Sequence, residues 1–82
     1  MADYRGRIVK DVHTKRRYLK IEKISYSQWE TPETVIAKIL LPERVTWGKI
    51  GEHLAEQGFA PKGAGWRLLT GSGEHRTMLN QI

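Results

Sequence analysis

Three histidines, His13, His53 and His75, are the first candidates for metal or acid–base chemistry, and none stands at ligand spacing to another. Glu52, His53 and Glu56 crowd one stretch in which i, i+3 neighbours would face each other. A metal site needs three or four ligands, so this group reads as a solvated helix face. The chain has no cysteine, which removes thiolate zinc sites, thiol nucleophiles and disulfides together. Ser25, Ser27 and Ser72 are hydroxyl nucleophiles without an elbow or triad context. Asp3 and Asp11 lie among basic residues, where local ion pairing is their expected work. No two glutamates are placed as a glycosidase pair would be. The segments Lys62-Gly63-Ala64-Gly65 and Gly71-Ser72-Gly73 lack the Gly-Lys-Ser/Thr ending of a phosphate-binding loop and read as tight turns. No catalytic residue, metal or cofactor is expected from this set. The chain reads as a binding protein rather than an enzyme.

The residues with most chemistry to offer are cations. Arg5, Arg7, Lys10, Lys15, Arg16, Arg17, Lys20 and Lys23 crowd the first 25 positions, against Asp3, Asp11 and Glu22, with Tyr4 and Tyr18 interleaved. The formal net charge is +5 and the sequence pI about 9.8. The middle of the chain is mildly acidic and its end basic again. A clustered positive field attracts polyanions and speeds their encounter. Lysine and arginine neutralise phosphates, exposed aromatics stack on bases, and a two-stranded ribbon fits the major groove of DNA. Lys15-Arg16-Arg17 is the densest point of charge.

The expected nucleic-acid-binding set is therefore Arg5, Arg7, Lys10, Lys15, Arg16, Arg17, Tyr18, Lys20 and Lys23, with Trp29, Lys62 and Arg67 as further interface candidates. The competing reading is that the charges solvate a hairpin face and the tyrosines are core. Trp29 sits in the polar run Ser27–Thr31, either folded back as a lid or exposed as an interface anchor.

The partner expected is nucleic acid, DNA or RNA, and the protein would be a small, regulatory type of binder. The alternative is an accessory or inhibitor protein of the kind phages and mobile elements encode, docking its basic face on an acidic protein surface. Eighty-two residues suffice for one small domain. With no disulfide, such a chain gains stability chiefly by association, so a homodimer is a further partner to consider. The longest apolar run, Val35–Leu41, is interrupted by Lys38 and falls well short of the ~20 residues that cross a bilayer. Met1–Gly6 has no apolar core, so no secretory signal is read there. Together with the absence of cysteine this points to the cytoplasm and away from a membrane.

The elements that must position these residues follow from periodicity. Ile8, Val9 and Val12 favour a first strand, and Tyr18, Leu19, Ile21 and Ile24 a second, making residues 5–25 a β-hairpin. The shift of apolar side from Ile21 to Ile24 suits a bulge, or else a helix. Thr31-Pro32 is a helix-start signal, yet the eight-residue run after it favours a strand by its length. As a strand it would align Val35, Ala37, Ile39 and Leu41 on one face. As a helix it would align Val35, Ile36, Ile39 and Leu40.

The clearest helix covers Thr46 to Gln57. Thr46 caps it, Trp47, Ile50 and Leu54 form its core stripe, and Gly58 follows its end. Trp66–Thr70 reads as a short strand, and His75–Ile82 as a last strand or a short helix. Strands grouped before a single helix predict an α+β domain: a small antiparallel β-sheet with one amphipathic helix packed on a face.

Ile50-Gly51-Glu52-His53-Leu54-Ala55-Glu56-Gln57-Gly58-Phe59-Ala60-Pro61-Lys62-Gly63, followed by Trp66, resembles the helix and Pro-x-Gly…Trp stretch in the DNA-binding region of large serine recombinases. The resemblance covers less than a quarter of the chain. The interval from Trp66 to Met78-Leu79 is longer than that pattern has, and the recombinase catalytic domain is absent. It implies DNA binding and carries no individual residue over.

Overall fold

The computed structural model of the chain describes residues 2–25, 33–63, 65–69, 71 and 73–82. Trp29 and the Thr31-Pro32 signal lie outside the described residues. The expected hairpin is present as β1 (Ala2–Lys10) and β2 (Arg17–Ser25), in unbroken register from Ala2 opposite Ser25 to Lys10 opposite Arg17. The run after it is β3 (Glu33–Leu40), a strand as its length suggested. The helix α1 (Trp47–Glu56) is followed by β4 (Phe59–Pro61), β5 (Arg67–Leu68) and β6 (His75–Gln81). The sheet runs β3-β2-β1-β6-β4, and β5 pairs with the start of β6 along the same edge as β4. Every pairing is antiparallel. The fold is thus α+β.

Alternation along the strands sorts side chains onto two faces. Ile8, Leu19, Ile21 and Leu79 meet Leu41, Ile50, Leu54 and Phe59 in one core, with Tyr4, Ala37, Ile39, Val45 and Trp66 against it. The helix contributes two fully covered anchors, Ile50 and Leu54, one turn apart. Its first turn is closed by Thr46, whose hydroxyl accepts from the Lys49 amide at 3.1 Å. Its end is closed by Gly58, at φ 88, whose amide donates to the Ala55 carbonyl.

Three details differ from the sequence reading. Trp47 is not in the core but 53% exposed. As the first helical residue it overhangs the end of the sheet, where its ring meets Trp66 at 5.8 Å and His75 at 5.3 Å. The bulge lies in β3 rather than β2: Ala37 faces Ile21 and Val35 faces Glu22, so Ile36 is the extra residue. Ile24 lies on the opposite face from Ile21 because it is three residues along a regular strand. The same bulge turns Val35 away from Ala37 and Ile39, onto the face opposite the helix, where it is 50% exposed.

Gly6 sits at the middle of β1, between Ile21 and Thr77. The Trp66 ring lies on it so closely that a Cβ there would meet the ring at 3.0 Å. This contact seats the segment carrying β5. Gly6→Val should therefore destabilise the protein by about 1–3 kcal/mol through overpacking. Urea unfolding followed by tryptophan fluorescence measures it; an unchanged midpoint would show that Trp66 gives way freely.

Candidate nucleic-acid interface

No described element covers the second face of the sheet, and the register fixes its composition. Arg5, Arg7 and Val9 of β1 stand beside Glu22, Lys20 and Tyr18 of β2. They stand also beside Met78 and Arg76 of β6, which adjoin Arg5 and Arg7. Lys38 faces Lys20 from β3, and Arg67 faces Arg76 from β5. One cross-strand row therefore reads Lys38, Lys20, Arg7, Arg76, Arg67, five cations on five neighbouring strands. At about 4.8 Å between strands the row is about 19 Å long. Like charges directly opposite one another destabilise a sheet, so this row costs stability.

Carboxylates beside the row offset part of that cost. Glu22 accepts from Arg5 Nε and Nη2 at 3.2 and 3.1 Å and from Arg7 Nη1 at 3.2 Å. Arg7 also pairs with Glu74, which accepts from Arg76 Nε at 2.8 Å. Arg5 reaches Glu33 at 3.0 Å. The result is a chain of alternating charge, Glu33, Arg5, Glu22, Arg7, Glu74, Arg76. Lys20, Lys38, Lys62 and Arg67 take no ion pair among the described residues; Lys38 lies over the Tyr18 ring at 4.4 Å.

The hairpin tip is built, not merely charged. Asp11 Oδ1 accepts from the amides of His13 at 2.8 Å and Thr14 at 3.3 Å. The Asp11 amide donates to the Arg16 carbonyl and the Lys15 amide to the Asp11 carbonyl, each at 2.8 Å. Lys15 takes φ 60, the left-handed region, to close the loop. Lys10, Lys15, Arg16 and Arg17, with Leu40 and Pro42, line a groove of about 840 Å³ at this end.

The candidate residues thus divide. Arg7, Lys20 and Arg67 are members of the row, and Arg5 and Tyr18 stand with them on the same face. Lys10, Lys15, Arg16 and Arg17 form the exposed tip. Lys23 faces Tyr4 and Thr34, on the helix side of the sheet, apart from both groups. Lys62 follows β4 and borders a second hollow, of about 470 Å³, with Arg5, Arg67, Arg76 and Met78. Trp29 lies outside the described residues. Sequence reasoning missed Lys38 and Arg76 as members of the row and Glu22 and Glu74 as its counterions. No local signal marks them, because only strand order brings them together. Among the described residues no group of three metal-ligating side chains occurs, and no helix is long and apolar enough to cross a membrane.

The chain matches no protein-family model, no curated protein and no solved structure.

Burial alone would raise the Glu74 carboxyl, but hydrogen bonds from Arg7 and Arg76, and their charges, outweigh it and hold the group below its ordinary range. A depressed native value means that Glu74 stabilises the fold above its unfolded value, about 4.3. That contribution disappears as pH falls through the lower native value. The urea midpoint should accordingly drop on acidification below about pH 4, and Glu74→Gln should show a shallower drop over the same interval. Identical pH profiles for the two proteins would remove Glu74 from the linkage.

Proposed function

We propose that the protein binds nucleic acid across the open face of the sheet, with the hairpin tip extending the contact. The observation that carries this reading is the row Lys38, Lys20, Arg7, Arg76, Arg67. A solvated face needs no such row, since alternating signs would serve solubility at lower cost, as they do in the neighbouring pair Arg5 and Glu22. Arg7 and Arg76 are held by Glu22 and Glu74, while Lys38, Lys20 and Arg67 take no ion pair among the described residues; cations set along one line suit a repeating anion, and a phosphate backbone is one. Tyr18 beside the row and Lys15, Arg16 and Arg17 at the tip add an aromatic surface and further charge along the same end of the hairpin.

The test is fluorescence anisotropy of labelled single-stranded DNA, duplex DNA and RNA at low and moderate salt, using nuclease-treated protein. The wild-type chain should bind at micromolar or tighter concentrations and weaken steeply with salt. A Lys20→Glu, Lys38→Glu, Arg67→Glu variant should lose nearly all binding. Milder Lys→Ala and Arg→Ala changes at the same three positions should reduce the salt slope by about two to three, one phosphate contact each. Charge reversal at Lys15, Arg16 and Arg17 should weaken binding while leaving the circular dichroism spectrum unchanged. Lys49→Glu, on the helix, should change little. A wild-type protein that binds no oligonucleotide at low salt overturns the reading and favours an acidic protein surface as the partner.

A further inference from the structure

The row of cations ends in a hollow. Met78 stands on the open face of β6 with Arg5 directly opposite on β1 and Arg76 two residues back on its own strand. On its other side Lys62 donates its amide to the Met78 carbonyl at 2.8 Å, and Arg67 faces Arg76. Cross-strand neighbours are about 5 Å apart and same-face neighbours along a strand about 7 Å. Arg5, Lys62, Arg67 and Arg76 therefore line the hollow around one apolar side chain, the Arg5 guanidinium turned toward Glu22 and Glu33. Met78 is 37% exposed at the centre, and Leu69 adds a second apolar wall. Gly63 and Gly65, both at positive φ, form the lip, where the lack of a side chain lets a ligand approach the backbone. The hollow measures about 470 Å³, within the range of small-molecule sites, roughly 300–1,000 Å³.

An inorganic anion would need no apolar floor, and an aliphatic ligand no lining of cations. A nucleotide needs both. Its base offers a π-face to the Met78 thioether, whose sulfur is polarisable and suits an aromatic ring. Its phosphate is a partner for Lys62 and Arg67, which hold no carboxylate among the described residues. Arg5 and Arg76 are already anchored by Glu22, Glu33 and Glu74, so they form a fixed rim.

We infer that this hollow takes one unstacked base with its phosphate, and that the nucleic acid bound is therefore single-stranded. The inference rests on the nucleic-acid reading of the open face and specifies its ligand. A strand lying along the cation row reaches the hollow at Arg76 and Arg67 and turns one base onto Met78. A duplex keeps its bases stacked and presents none to the hollow.

The sequence makes the test direct, since its two methionines are Met1 and Met78. With 13C-methyl methionine, the wild-type protein is titrated separately with a nucleoside monophosphate, the corresponding nucleoside and inorganic phosphate. The Met78 methyl resonance should move upfield with the monophosphate, from the ring current of the base, and stay in place with phosphate alone. In parallel, anisotropy should show single strands bound about tenfold more tightly than a duplex of the same sequence, and Met78→Ala should remove most of that difference.

A Met78 methyl unmoved by nucleotide, while single strands still bind through Lys20 and Lys38, overturns the hollow as a base site and leaves the face reading intact. Equal affinity for single strand and duplex overturns it likewise. Loss of all oligonucleotide binding in the wild-type protein overturns both readings.

Discussion

On the face of the sheet that no described element covers, the Glu22 side chain is only 4% exposed. A carboxylate withdrawn from water costs several kcal/mol unless charges and hydrogen bonds replace its hydration. Arg5 and Arg7 do so from the neighbouring strand, and Arg7 passes the linkage on to Glu74 at the start of β6. One carboxylate thereby joins β2 to β1, and through Arg7 the turn that leads into β6. Arg5 and Arg7 are both tied to Glu22, and Arg7 is the member of the cation row at the centre of the sheet. Removing the Glu22 charge would leave Arg7, which faces Lys20 and Arg76, with Glu74 alone to compensate it, and Arg5 with Glu33 alone.

The two faces divide the work. One is apolar and packs α1 through Ile50 and Leu54 onto Ile8, Leu19, Ile21 and Leu79. The other is largely charged, with Glu22 and Ile24 buried in it, and no described element packs on it. Each face uses alternate residues of the same strands, so neither can be altered by a shift of register without exchanging the two sets. The unbroken register of the hairpin, set by the Asp11 loop at one end, is what keeps them apart.

Much of this architecture was legible in the sequence. Branched residues around Ile8 and Ile21 announced the hairpin, Thr46 and Gly58 marked both ends of the helix, and the length of the Val35–Leu41 run favoured a strand. These signals are local, and local signals survive in a single sequence. The position of β6 between β1 and β4 was not legible, because pairing between residues about seventy positions apart leaves no mark in spacing. The cation row follows from that pairing: Arg76 and Arg67 could not be aligned with Arg7 before the strand order was known. Trp47 was misplaced because helical periodicity gives a direction but not where the sheet beneath it ends. The crowding of positive charge in the first 25 residues was visible at once; that Lys23 faces the helix side follows only from its register with Tyr4.

The bulge at Ile36 bears on how the molecule behaves in company. Among the described residues β3 is an outer strand eight residues long, rich in Val, Ile and Leu, with a strand partner on one side alone. A straight strand of that composition is a template for another chain, and stacking of such templates is how fibrils begin. The extra residue breaks the even spacing of amide and carbonyl groups, and Lys38 adds a charge that a second copy would have to bury beside its own. At the opposite boundary β4 ends in Pro61, which has no amide to offer. Both described margins of the sheet thus resist extension by a further copy of the chain.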